Sequence, residues 1–532
     1  MNELRKEIAI QQKKGLPFIM TSVIIWLLIL LVSILDINMN MKNLLVFCCS
    51  CPLLPLSWII GKLIKVDIFS KENPLGQLGF IFTLNQMIYH MIVPCDGTDD
   101  GIFKDWFVNC FPQTFITTVI GSVLLYKTPL IFLFDYQGIC IAVLILGTLF
   151  YALINYQIIT YVFDMVRTSK LYEEHYVDPK NVELEFKEKR NLIHIYLESV
   201  ENTYLSKEQG GQEENNYIKE LGELANENIN FSHTDKIGGS YTIEGTQWTI
   251  ASMVGQEAGI PLLFPLSKNK YDEHSSFLSG CYTLGEILES QGYQNRILMG
   301  SDANFGCTSN FYKQHGNFKI EDTTSLKEEG RLPQDYHVFW GFEDKKVFEF
   351  AKEDLNEMAK SKQPFYMELV TIDTHTPDGY VCEECKHEYE SQYANVISCQ
   401  SRQVEAFVRW CQKQDWYENT TIVITGDHKS MSEKFFKHLD KNYLRTPYNC
   451  FINSAVEPIQ PKNRKFAIFD FYPTILASLG VQIKGEHLGL GTNLFSNEKT
   501  LLEKYGVKKI NSEVTKYSKF YRKVLINKQK NV

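Results

Sequence analysis

Apolar and polar positions divide the chain unevenly. Up to about Phe163 long apolar runs follow one another with few charges, and beyond it charged residues are frequent. Leu16 to Leu35 is an apolar run close to the ~20 residues that a membrane-spanning helix needs. Asn43 to Ile64 is a second such run, Phe111 to Tyr126 a shorter third and Gly138 to Phe163 a long fourth. Gly76 to Val93 is a weaker candidate, because it carries Asn85, Gln86 and His90. Arg5, Lys6, Lys13 and Lys14 precede the first run, Lys62, Lys65 and Lys71 follow the second, and Lys127 follows Tyr126. Acidic Asp96, Asp99, Asp100 and Asp105 fall between the weak candidate and the third run. Short basic loops stay on the cytoplasmic side. The pattern therefore predicts a multi-helix transmembrane domain over 1–163, with about five helices, a cytoplasmic N-terminus and everything after Phe163 outside the cytoplasm. Leaving Gly76–Val93 in the interface would give four helices and an N-terminus that faces outward against its charge. The first run is not expected to be a cleavable signal peptide, since no small-residue cleavage site follows it.

After Phe163 the periodicity changes. Residues 164–190 are charged and read as a linker lifting the next domain off the membrane. From Asn191, short apolar runs alternate with amphipathic stretches. Strands are expected at 191–198, Gln294–Met299, Pro364–Ile372 and Thr420–Thr425, with shorter ones near Asn449–Ile452 and Phe466–Ile468. Helices are expected near Asn216–Glu227, Tyr282–Glu289, Glu343–Ser361, Tyr389–Gln412 and Phe469–Leu479. Such alternation predicts an α/β domain over 191–498, a mostly parallel sheet sandwiched by helices. The basic C-terminal tail, 499–532, reads as a solvated helix, or as one resting on anionic headgroups.

Composition narrows the classes. A 532-residue chain is too long for one ordinary domain, and its net charge of -9 argues against nucleic acid as a partner. Cys281, Cys307, Cys382, Cys385 and Cys399 lie in polar contexts where disulfides could form in an oxidising compartment, whereas Cys411 and Cys450 sit in apolar patterns as buried thiols. The alternative for Cys382-Glu-Glu-Cys385 is a zinc knuckle, but no second Cys/His pair follows at suitable spacing.

Chemistry gathers at the ends of the predicted strands. Thr420–Thr425 stops at Gly426 and is followed at once by Asp427-His428; Asn191–Leu197 ends on Glu198; Gly245–Val254 is a hydroxyl-rich turn leading into a helix-like segment. In open α/β sheets ligands bind beyond the carboxyl ends of the strands. Carboxylates, an imidazole and a hydroxyl meeting there suit a divalent cation that activates the hydroxyl as a nucleophile.

These residues, with Phe231-Ser-His-Thr234, Thr249–Val254 and Gly259-Ile-Pro261, Leu284–Leu288 with Gly292-Tyr-Gln294, and Asp373-Thr-His-x-Pro-Asp-Gly-Tyr380, occur in an order that resembles the alkaline phosphatase/sulfatase superfamily. The likeness is greatest to membrane-anchored phosphoglycerol transferases of the periplasmic-glucan type, and more distant to lipoteichoic acid synthases and lipid A phosphoethanolamine transferases. It covers about 190–490. The resemblance implies Glu198, Asp427 and His428 as metal ligands, and a nucleophilic threonine that also touches the metal. Thr249 stands ten residues before Gly259, as the sulfatase nucleophile stands before the glycine ending its helix; a gap-free match to the lipoteichoic synthases selects Thr246 instead. A threonine here argues against a formylglycine sulfatase. His375 matches a histidine that binds the substrate phosphate or assists the leaving group, and Asp470 is read as a structural helix start. Phe305–Asn310 lacks the arginine that lipoteichoic synthases use, which argues against polymerase activity.

The implied protein is an extracytoplasmic, membrane-anchored transferase in the cell envelope. It would move phosphoglycerol, or a related headgroup, from a phospholipid such as phosphatidylglycerol to a glycan or glycerol-phosphate acceptor, using one divalent ion, manganese or zinc, with magnesium as the further choice. The alternatives are a phosphodiesterase or sulfatase-like hydrolase, a phosphoethanolamine transferase acting on a lipid-linked sugar, and a receptor that has lost catalysis.

Overall fold

A computed structural model describes residue 93 and residues 158–264, 275–376, 378–432, 435–440 and 442–526. The membrane reading of 1–163 lies almost wholly outside the described residues, and no helix among those described is long and apolar enough to cross a membrane. The elements below belong to one compact unit that includes residues 163–532.

Its centre is a six-stranded sheet. In chain order the strands are β1 (Asn191–Leu197), β2 (Gln294–Met299), β3 (Lys319–Glu321), β4 (Phe365–Val370), β5 (Thr420–Gly426) and β6 (Asn449–Ile452). They lie side by side as β3-β2-β4-β1-β5-β6, all neighbours parallel except the β5–β6 pair. Successive side chains of a strand point to opposite faces, and here both faces are covered. Leu192, Tyr196, Ile297, Tyr366, Val370 and Val423 enter one core, which also holds residues of the helices α2 (Thr249–Ala258), α3 (Leu284–Ser290) and α6 (Phe471–Ser478). Ile193, Ile195, Leu197, Leu298, Met367, Leu369, Ile422 and Ile424 enter the other, with α1 (Lys219–Glu227), α4 (Asp344–Met358) and α5 (Gln392–Cys411). That two-sided burial explains why β1 and β5 read as largely apolar, β-branched runs without alternation: every residue of both strands is buried. At about 1.5–3 kcal/mol for each aliphatic side chain taken out of water, these two cores hold the sheet.

The expected strands and helices are present with ends moved by a few residues, with one exception. Phe466–Ile468 is not a strand; Ile468–Asp470 is a single 3₁₀ turn that leads into α6, and Ala467 makes only an isolated bridge to Tyr241. The three-residue β3 was not expected. Asp470 is structural, as read, but it caps backwards: one carboxylate oxygen accepts from Ala467 N (2.7 Å) and the other from Thr492 N (2.8 Å).

Two segments sit closer to the core than their charge suggests. The expected stand-off linker instead buries Leu171 and Tyr172, whose ring lies 5.0 Å from that of Tyr521. The basic tail forms the helices Leu501–Tyr505 and Val507–Thr515, whose Leu501, Leu502, Ile510 and Val514 enter the first core while Lys508 and Lys509 stay exposed. It is an amphipathic piece of the domain rather than a fully solvated helix.

Candidate metal and nucleophile site

Sheet register builds the site. Leu197 of β1 pairs with Gly426 of β5, so the next residue of each strand, Glu198 and Asp427, emerges side by side. Asp427 N donates to Leu197 O at 3.1 Å and holds that alignment past the last pair. Gly426 is required because a Cβ there would lie 1.9 Å from Val200 O. On the other side of β1, Thr371 at the end of β4 accepts from Glu198 N (3.0 Å), and the hydroxyl of Thr374 donates to the Glu198 carbonyl. The backbone of Glu198 is thus gripped from the neighbouring strand.

Around it the side chains converge. His428 Nε2 lies 3.4 Å from Asp427 Oδ2 and 3.6 Å from Glu198 Oε1. His428 Nδ1 lies 3.0 Å from the Lys429 carbonyl. Nδ1 therefore carries a hydrogen, and Nε2 faces the carboxylates. Asp427 Oδ1 accepts from Ser199 N (2.8 Å) and His428 N (2.7 Å), while Asp427 Oδ2 is buried without a hydrogen-bond partner. Ser199, whose hydroxyl donates to Glu198 Oε1 at 2.6 Å, holds a left-handed φ of 56°, a strained conformation of a kind that clusters at functional sites.

The charge is unbalanced. Burial above all, then the Glu198 carboxylate, pushes the Asp427 carboxyl up to about 7. Burial pulls the His428 imidazole's pKa down, but Asp427 and Glu198 outweigh it and raise it. One ligand atom from each of Glu198, Asp427 and His428 lies within 4.8 Å of the others. Two buried carboxylates, an unpartnered oxygen and an imidazole lone pair make a donor set that fits a divalent cation.

Thr249 opens α2 at this spot. Its hydroxyl donates to Glu198 Oε2 at 3.2 Å. Trp248, the preceding residue, supplies no side-chain cap to the helix. The helix ends at Gly259, in the left-handed conformation (φ 67°) that stops a helix. Thr246 faces elsewhere. Its hydroxyl donates to Ile243 O at 2.7 Å, in the turn, and does not cap α2. His375 lies on the loop after β4, one residue beyond Thr374, with its ring 4.4 Å from that of Trp340 and its Nδ1 3.0 Å from Thr376 O.

Other contributors had no signal in the sequence. Glu201 accepts from Arg445 Nε (2.8 Å) and from Ser430 N (3.1 Å), and Arg445 also donates to Ser430 O (2.6 Å). This latch ties the Asp427–Ser430 loop to the end of β1 across 244 residues of sequence. Gln400 on α5 donates to Thr371 (2.9 Å), Thr374 (3.1 Å) and Asp344 (2.9 Å), steadying both hydroxyls that hold Glu198.

The sequence profile of the family described as Sulfatase matches residues 190–481, more than half of the chain. The chain belongs to that family, in the alkaline phosphatase/sulfatase superfamily. Enzymes of this kind use a divalent metal. Residues 1–96 match a family of unknown function, DUF7010. Among curated proteins, phosphoglycerol transferase I of Escherichia coli O139:H28 is 32% identical over 365 residues, covering 65% of this chain and 45% of the relative. The Shigella flexneri protein of the same name is 31% identical over the same span. The chain thus spans less than half of the length of the curated relatives it matches. Among solved structures it is similar to the lipoteichoic acid synthase LtaP of Listeria monocytogenes (16% identity, TM-score 0.46, covering 62% of this chain and 82% of that one). It is also similar to the phosphoethanolamine transferase EptA of Neisseria meningitidis (14% identity, TM-score 0.40, covering 71% and 70%).

Proposed function

We propose that this protein is a membrane-anchored transferase that moves a phosphoglycerol group from a phospholipid to a glycan or glycerol acceptor through a phosphothreonine at Thr249. The observation that carries the reading is the Thr249 hydroxyl at the uncapped start of α2, 3.2 Å from Glu198 Oε2, while the Thr246 hydroxyl is engaged by Ile243. The named relatives are phosphoglycerol transferases, which supports the choice of group.

Glu198, Asp427, His428 and Thr249 would hold the divalent ion, manganese or zinc. When bound, it would supply positive charge that lowers the pKa of the hydroxyl and offsets the phosphate's negative charge. The first N–H groups of α2 bind the phosphate oxygens. Thr249 Oγ attacks phosphorus, the Oγ–P bond forms, and the bond from phosphorus to the diacylglycerol oxygen breaks. The hydroxyl proton leaves towards Glu198 Oε2, the acceptor it already faces. His375 protonates the departing oxygen or steadies the phosphate. An acceptor hydroxyl then attacks the same phosphorus, its proton passing to His375; its O–P bond forms, the Thr249 Oγ–P bond breaks, and Thr249 Oγ takes back the proton it gave to Glu198. The domain from 191 to 498 would work outside the cytoplasm, joined by 164–190 to a transmembrane domain over 1–163, with 499–532 as its basic end.

The test is transfer itself. The full chain is supplied with vesicles of phosphatidylglycerol labelled in the headgroup, with and without an oligosaccharide acceptor. The reading expects label on the acceptor together with diacylglycerol. Label released only as free glycerol phosphate, whether or not acceptor is present, would replace the transferase with a phosphodiesterase.

A further inference from the structure

The loop after His375 and the helix α5 bring three cysteines together, away from the Glu198 group. Cys382 Sγ lies 3.6 Å from Cys385 Sγ and 3.7 Å from Cys399 Sγ. All three thiols are buried, and none forms a disulfide. We propose that Cys382, Cys385 and Cys399 form a second metal site that binds zinc through three thiolates.

The spacing is the first argument. A tetrahedral centre with zinc–sulfur bonds of about 2.3 Å sets its sulfurs about 3.8 Å apart. The two separations fall within 0.2 Å of that value. A disulfide needs about 2.05 Å and joins two sulfurs, which would leave the third beside it. Here Cys382 lies close to both partners, and all three sulfurs lie within 4.8 Å of one another, as a shared centre requires.

The surroundings are the second argument. Cys382 and Cys385 bracket a tight turn in which Cys385 N donates to Cys382 O at 3.1 Å, an arrangement that aims both side chains at one point. Cys399 comes from the first half of α5. Gln403, one turn further along α5, directs its amide Nε2 at Cys399 Sγ (3.2 Å) and at Cys382 Sγ (3.6 Å). Donors aimed at two sulfurs suit thiolates, which accept hydrogen bonds far better than thiols do. Val396, with Tyr380 and Val381 packed against it, supplies the apolar part of the shell.

The position gives the site a task. Between β4 and the cysteine pair the chain carries Asp373, Thr374 and His375, and Tyr380 N donates to Asp373 O at 2.7 Å. A centre joining Cys382 and Cys385 to Cys399 fastens this loop to α5, the same helix whose Gln400 bonds Thr371 and Thr374. It fixes the loop that carries His375 without touching the reacting atoms. These cysteines are positioning residues.

The test uses the full chain loaded with cobalt in place of zinc. The Glu198 group contains no sulfur, and among the described residues Cys382, Cys385 and Cys399 form the one cysteine group placed to hold a metal, so a sulfur-to-cobalt charge-transfer band in the near ultraviolet that depends on Cys385 reports this site. The proposal expects that band in the unaltered chain and its loss in Cys385→Ser, with one equivalent of bound metal lost from that variant. Alkylation of the unaltered chain followed by peptide mass analysis gives a reading that does not depend on how the variant folds. Cys382, Cys385 and Cys399 should resist alkylation until a chelator is added. A disulfide joining any two of them, or three thiols alkylated at once in metal-replete protein with no charge-transfer band, would overturn the site.

Discussion

At the scale of single residues the site depends on a charge held in the wrong place for a metal-free protein. Asp427 is buried, accepts two backbone N–H bonds through one oxygen and leaves the other unpartnered. Asp427→Asn keeps the shape but removes a negative donor. Activity should fall by roughly 10³-fold or more, the loss of several kcal/mol of charge stabilisation, and added metal should restore only part of it. Measuring turnover against metal concentration checks this; unchanged activity in a folded variant would show that Asp427 is no ligand. The Glu198, Asp427 and His428 grouping was legible because each ends or follows an apolar run. Arg445 and Gln400 were not, because their partners lie far along the chain and no local pattern marks them.

Elements fix what residues can reach. Gly426 lets β5 end against the loop after β1, and a methyl group there would strike Val200 O, 1.9 Å from the added carbon. Gly426→Ala should therefore destabilise the domain by about 1–3 kcal/mol, the usual range for overpacking, and weaken metal binding by moving Asp427. Denaturant titration beside a metal-binding titration tests both halves. Burial pushes the Asp470 carboxyl, at the turn before α6, from 3.8 up to about 7 despite its N–H donors. A folded-state pKa above the unfolded one means that folding takes up a proton between those values. This group's contribution is thus full below about 4 and is lost as pH rises through about 7, at up to ~1.4 kcal/mol per pH unit. Asp470→Asn removes that titration, so wild type should lose stability relative to the variant as pH rises from about 4 to about 7. A constant difference across that window contradicts it. The long strands were readable because two-sided burial writes continuous apolar runs. β3 was too short to show a pattern, and Phe466–Ile468 is apolar because the buried lead-in to a 3₁₀ turn is as hydrophobic as a strand. The sequence raised zinc at Cys382-Glu-Glu-Cys385 but offered no second Cys/His pair, because the third member of the proposed site stands alone on a helix, seventeen positions after the first.

For the whole molecule, the proposed function brings a lipid-derived donor to a site outside the cytoplasm. If the apolar runs of 1–163 span the membrane as their flanking charges indicate, exposed Lys386 faces the outside. Trypsin added to intact spheroplasts should cut there, and cleavage seen only after lysis contradicts the topology. Docking of Leu171 with Tyr172 and of the C-terminal helices into the first core means that neither end segment of the domain can be trimmed as a mere tether. The central claim is that Thr249 carries the transferred group. Its most direct measurement is peptide mass analysis of the full chain after incubation with phosphatidylglycerol in the absence of acceptor. The account predicts a phosphoglycerol adduct on Thr249. The adduct should persist in Thr246→Ala, which loses the hydroxyl's hydrogen bonds to Ile243 O and from Ile243 N, about 1–2 kcal/mol of stability, and vanish in Thr249→Ala. An adduct on Thr246, or one that survives in Thr249→Ala, would contradict it.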